Sequence, residues 1–141
     1  MAEIVVDSNV WVGYWLRRQE QYPAASALVQ ELQQGLQKCH IPRLVIVEVC
    51  STILREVERP SLASALLLHI KETFAEWEVS GSIKLYDLNE ERANSAIDMN
   101  SRLTRHLKGS DSIIAALAQE LNLPLKTFDI EIQQRYPNAT T

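Results

Sequence analysis

The sequence has few glycines (four) and prolines (five) in 141 residues, too few for a long flexible linker, and it shows no internal repeat or low-complexity tract. It has no run of roughly 18 apolar residues, which excludes a membrane-spanning helix. It also lacks the basic, then apolar, then small-residue pattern of a signal peptide, so a cytoplasmic location is expected and the Asn138-Ala139-Thr140 sequon is expected to carry no sugar. Two cysteines, Cys39 and Cys50, are too few for a disulfide framework, and Cys39-His40 lacks the partners of a zinc site; reduced, buried thiols are expected. His40 and His69 have no partner at ligand spacing and are assigned no function. A basic surplus is missing as well. The formal net charge is −4, so any contact with phosphates has to come from local cations or from a bound metal.

What is present is the composition of an ordinary globular protein, 46% hydrophobic and 23% charged, at a length that fits a single domain over residues 1–141. Short apolar runs alternate with longer helical ones. Residues 3–6 read as a strand closed by Asp7-Ser8-Asn9, and a helix capped by Ser8 or Asn9 follows. Pro23 opens a second helix and residues 38–41 form a second strand. Residues 44–49, LVIVEV, suit a strand or a helix, and their continuation without Gly or Pro to Glu58 favours helix. Ser61 caps a further helix, SIKLYD is a third strand, a helix spans about Asn89 to His106, and Lys108-Gly109-Ser110 separates it from another beginning at Ser110. PLKTFD is a fourth strand. This alternation predicts an α/β fold of three layers, α/β/α, around a mostly parallel sheet of four to five strands.

In open parallel sheets, functional groups collect beyond the carboxyl ends of the strands. Asp7 and Asp129 each stand at such an end. Taken singly, either is explained as a helix cap, and Asp111 is explained by the dipole at the start of its helix. Glu48 differs, because it is flanked by Leu44, Val45, Ile46, Val47, Val49 and Cys50, where a carboxylate is partly desolvated. On a helix it shares a polar stripe with Ser51, Thr52 and Arg55, which is the plainer reading. Together the four describe a carboxylate cluster that a cation would stabilise, and all-oxygen ligation suits Mg²⁺ or Mn²⁺. Such an ion supports phosphodiester hydrolysis.

The segments IVVDSNVW, VIVEV and KGSDSIIAALAQELNLPLKTFD resemble the PIN-domain family, in particular the VapC-type toxins of bacterial toxin–antitoxin pairs. The resemblance extends from the first strand to about Asp129. It implies a Mg²⁺- or Mn²⁺-dependent ribonuclease with Asp7, Glu48 and Asp111 as core metal-binding acids and Asp129 as the fourth. It also implies supporting roles for Asn9, Ser110 and Thr127, an RNA substrate, a homodimer and a small antitoxin partner. A nuclease of RNA processing, or a PIN-like module that binds RNA or protein without cutting, is the alternative. After the fourth acid many members carry an aromatic residue, whereas this chain reads Ile130-Glu131-Ile132.

Other features have two readings each. Trp11, Tyr14 and Trp15 share one helix face, suited to the core or to a dimer or antitoxin surface. Arg102, Arg105, His106 and Lys108 precede the Asp111 helix, where they either hold RNA phosphates or form a solvated face. Two rival enzyme classes fit less well. A haloacid-dehalogenase-type site wants a second acid two residues after the first, where this chain has Asn9, and a phosphoreceiver site wants adjacent acids, which Asp7-Ser8 does not supply.

Overall fold

A computed structural model of the chain describes residues 1–140. The elements in chain order are β1 (Ala2–Val6), α1 (Ser8–Trp15), α2 (Tyr22–Gln33), β2 (Gln37–Pro42), α3 (Arg43–Glu56), α4 (Pro60–Ser80), β3 (Ile83–Tyr86), α5 (Glu90–Ser101), α6 (Gly109–Leu121), β4 (Leu125–Lys126), α7 (Ile130–Arg135) and β5 (Ala139–Thr140). The strands form one sheet in the order β3-β2-β1-β4-β5, with every pairing parallel. Ile4 lies opposite Cys39 and Val5 opposite both His40 and Leu125.

That order fixes where a site can form. The chain lays β2 and then β3 on one side of β1, and afterwards returns to add β4 and β5 on the other side. The connections leaving β1 and β4 at their carboxyl ends therefore diverge, opening a crevice between them. The helices fall into two packing groups, consistent with one on each face of the sheet. Helices α1 to α4 pack on one another, with α2 and α3 against β2 and α4 against β3, while α5 packs on α6, which lies on β1 and β2.

The core is apolar where the sequence pattern requires it. Val5, Val6, Cys39, Ile41 and Leu125 are fully buried in the three central strands, which are covered on both faces. Trp11 of α1 is fully buried too; its ring meets Phe74 edge-on at 5.4 Å and lies 5.8 Å from Trp77, both on α4. Trp15 and Tyr14 are half-buried and pack against this core, so the aromatic stripe is chiefly a packing feature. Both cysteines are free thiols, Cys39 buried and Cys50 half-buried. Among the described residues no helix is long and apolar enough to cross a membrane.

Several boundaries differ from the sequence expectation. The ambiguous segment 44–49 is helical, as its breaker-free continuation suggested. The first helix is capped by Asp7 itself, whose side chain accepts from Ser8 N, rather than by Ser8 or Asn9. Pro60 rather than Ser61 opens α4, in the first-turn position where proline loses no helical hydrogen bond. Helix α5 stops at Ser101, not His106. There Asn100 turns its amide onto the backbone of Leu107, accepting from its N at 2.7 Å and donating to its O at 2.9 Å, which closes a loop containing Arg102, Arg105 and His106. Strand β5, two residues long, completes the upper count of the expected four to five strands, although its position has no signal in the sequence.

Trp11→Ala removes the centre of the contact between α1 and α4 and is expected to cost about 3–5 kcal/mol of stability. The half-buried Trp15→Ala should cost clearly less, and urea denaturation of the two variants checks the order.

Candidate active site

Four elements deliver the four acids to one cleft of about 420 Å³ at the carboxyl edge of β1 and β4. Asp7 follows β1, Glu48 lies in the middle of α3, Asp111 is in the first turn of α6 and Asp129 caps α7 just beyond β4. Ser8, Asn9, Val47, Ser51, Thr52, Arg55, Lys108 and Ser110 complete the lining.

Asp7 is the most enclosed of the four, at 5% exposed, and its position is fully specified. Its backbone N donates to Lys126 O at 3.0 Å, continuing the β1–β4 ladder by one residue. One carboxylate oxygen accepts from Ser8 N at 2.7 Å and the other from the Thr127 hydroxyl at 2.8 Å. The oxygen bonded to Ser8 N also accepts from the Ser8 hydroxyl at 3.5 Å, so the oxygen bonded to Thr127 is the one that keeps a lone pair for a further ligand. Thr127, completely buried, is the joint of the site. Besides donating to Asp7, its Oγ1 accepts from the backbone N of Asp129 at 3.0 Å and from Asn9 Nδ2 at 3.3 Å. Asn9 in turn accepts from Phe128 N at 3.0 Å. Asp129 accepts from Glu131 N at 2.8 Å, so it serves as a cap, and it also lines the cleft with Asp111.

The electrostatics are those of like charges brought close in a partly dry place. Burial, then the charges of Asp7 and Asp111, push the Glu48 carboxyl up to about 7. Burial, then Asp7 and Asp129, push Asp111 up to about 6, opposed by Lys108. Asp7 is raised as well, by burial and by Asp129, against the hydrogen bonds from Thr127 and Ser8. Among the described residues none of the four is in an ion pair, although Arg18, Arg43, Arg92 and Arg135 are each paired with a carboxylate elsewhere.

The donor set fits a hard divalent cation: four carboxylates, no thiolate and no imidazole among the lining residues. Among the described residues no three acidic, His or Cys side chains are drawn together at direct ligand spacing. Repulsion between uncompensated carboxylates opposes such closure. The cleft has room for a hydrated ion, and Mg²⁺ ordinarily keeps several waters while one or two carboxylates bind it directly.

Of the residues expected from sequence to support the acids, Asn9 and Thr127 join the hydrogen-bonded network, and Ser110 lines the cleft. Of the basic candidates, Lys108 lines the cleft, whereas Arg102 lines a separate groove with Asp98, Met99 and Gln119, and Arg105 lines neither. Arg55, which the sequence presents only as part of a polar stripe, is the other cation of the cleft. Its spacing from Glu48, seven residues along one helix, was the available signal.

No match to this chain is found among curated proteins. Solved structures are similar across nearly its whole length. A toxin–antitoxin complex from Klebsiella pneumoniae aligns with a TM-score of 0.70 and 17% identity, covering 98% of this chain and 96% of that one. A Sarcin-Ricin loop cleaving toxin of Mycobacterium tuberculosis aligns at 0.67 and 15%, covering 93% of each. The VapBC2 structure from Rickettsia felis, bound to a promoter DNA fragment, aligns at 0.66 and 15%, covering 97% of this chain and 95% of that one. At these identities the likeness is one of fold. The PIN domain model, by contrast, matches the sequence itself over residues 4–137, taking in all four acids and the Thr127 joint, and the chain belongs to the PIN-domain family.

Proposed function

We propose that this chain is a Mg²⁺- or Mn²⁺-dependent endoribonuclease, the VapC-like toxin member of a toxin–antitoxin pair. One observation carries the reading: four carboxylates from four elements line a single cleft, and no lysine or arginine among the described residues is ion-paired with any of them. Uncompensated carboxylates that raise one another's proton affinity are a site prepared for an external cation. A divalent ion held there would polarise a phosphodiester, lower the pKa of bound water and stabilise the departing oxygen.

The protein's own residues have distinct parts in this chemistry. Asp7, locked by Ser8 and Thr127, offers a carboxylate of fixed orientation. Glu48 and Asp111 approach from helices α3 and α6, so the substrate diester is expected to enter between two rigid walls. Because Glu48, pushed up to about 7, and Asp111, to about 6, bind protons more tightly than ordinary carboxyls, loading of the ion is expected to release protons. The toxin assignment is supported by the folds it resembles, which include toxins solved with their antitoxins. An RNA substrate is supported by the relative described as cleaving the Sarcin-Ricin loop. A small antitoxin, a homodimer and a cytoplasmic location belong to the same proposal.

Cleavage of structured and tRNA-like RNAs with Mg²⁺ or Mn²⁺ tests the activity. Asp7→Asn and Glu48→Gln are each expected to lower the rate by about 100-fold or more, the scale of losing a metal-ligating acid rather than a supporting contact. Equal cutting by wild type and variants, or no cutting by the wild type, would refute the reading.

A second expectation follows from the raised carboxyls. Glu48 binds its proton more tightly in the folded state, so below its ordinary value of 4.5 it is protonated in both states and costs nothing. Between 4.5 and about 7 the unfolded chain ionises first and stability falls as pH rises. In metal-free buffer Glu48→Gln should therefore raise Tm at pH 8, with the advantage shrinking towards pH 4.5. Added Mg²⁺ should stabilise the wild type more than the variant at pH 8, and thermal melts with and without chelator read both effects.

A further inference from the structure

Two cations line the acidic cleft, Arg55 and Lys108, and helix α3 holds the first in a defined way. Glu48, Thr52 and Arg55 stand at i, i+4 and i+7, one face of the helix. The Thr52 hydroxyl donates to Glu48 O at 2.9 Å, and Arg55 Nη2 donates to that same hydroxyl oxygen at 3.3 Å. The guanidinium is thus tethered to the turn between it and Glu48. Among the described residues it forms no ion pair, although it shares the cleft with four carboxylates. Arg18, Arg43, Arg92 and Arg135, by contrast, are each bound to a carboxylate. An exposed guanidinium with five donors, only one of them engaged inside the protein, is equipped to take an oxyanion.

The position suggests which oxyanion. Seven residues of helix place the Cα of Arg55 about 10 Å along α3 from that of Glu48. The guanidinium, tied back to Thr52, spans part of that distance and lies beside the carboxylates, in reach of a phosphate next to the reacting one on the same strand. The chain has a formal net charge of −4, so it offers no general attraction to a polyanion and individual cations matter more.

We propose, building on the nuclease reading, that Arg55 seats a phosphate flanking the scissile one, with Thr52 as its positioning residue. The cleft then has two poles, carboxylates for the reacting diester and a guanidinium for its neighbour. This arrangement selects a strand with several phosphates over an isolated diester.

The test measures binding of a labelled single-stranded 12-mer RNA by fluorescence anisotropy at several salt concentrations, in the Glu48→Gln background so that the strand is not consumed. Adding Arg55→Ala should weaken binding by about 10-fold at low salt and reduce the slope of log K against log salt by about 0.7, the loss of one phosphate contact. Arg55→Lys should keep the slope with intermediate affinity, and Thr52→Val should keep the slope with a smaller loss. Arg59→Ala, an exposed cation outside the cleft, should change neither quantity. An Arg55→Ala protein that behaves like Arg59→Ala, or that loses affinity with no change of slope, overturns the proposal. If the wild type cuts no RNA while the Arg55-dependent slope persists, the nuclease reading falls and the phosphate seat stands.

Discussion

The parallel pairing of β1 with β4 is the constraint from which the rest of the site follows. It brings together two strand ends more than a hundred residues apart in sequence, and the buried Thr127 hydroxyl then fastens them. That hydroxyl has one proton and two lone pairs, and all three are used: the proton on Asp7, the lone pairs on Asp129 N and Asn9 Nδ2. A valine at this position would match its shape and leave the Asp7 oxygen, the Asp129 amide and the Asn9 amide group without this partner. Helices α3 and α6 are then placed by packing, α6 on β1 and β2 and α3 on α1 and β2, so Glu48 and Asp111 arrive on rigid supports.

The site is electrostatically unfavourable as an empty protein cavity, and this is consistent with its proposed purpose. Burial and mutual repulsion raise three of the four acids, and no basic side chain among the described residues forms an ion pair with them. An ordinary buried carboxylate is paired or protonated. The acidic net charge has a related explanation. Part of it is concentrated in the cleft, where a dication would offset it and where the lining holds two cations, Arg55 and Lys108.

Much of the fold was legible in the sequence because its signals are local. Short apolar strands ending in Asp7 and Asp129, and long helices without breakers, are written in consecutive residues. The parts that were not legible depend on distant partners. Strand β5 has two residues and exists because Leu125 and Lys126 offer an edge. The end of α5 is set by Asn100 reaching over to Leu107. His40 gave no signal as a neighbour of Cys39, but β-sheet register places it between Tyr86, at 2.7 Å, and Glu3, at 2.8 Å, which makes it a satisfied core histidine. The basic residues show the same limit. Arg102 and Arg105 are close to Asp111 in sequence, yet the Asn100 tie folds their segment into a loop and leaves them outside the cleft lining, while Arg55, far away in sequence, enters it.

The four-acid cleft is proposed to take up a divalent cation by exchanging protons for it. Titration calorimetry of Mn²⁺ into the metal-free protein at pH 6.5, repeated in buffers of different ionisation enthalpy, measures ion uptake and proton release together. Saturable binding is expected, with protons released per ion and both signals strongly reduced in Asp111→Asn. Binding that is absent, or that is unaffected by Asp111→Asn and releases no protons, would contradict it.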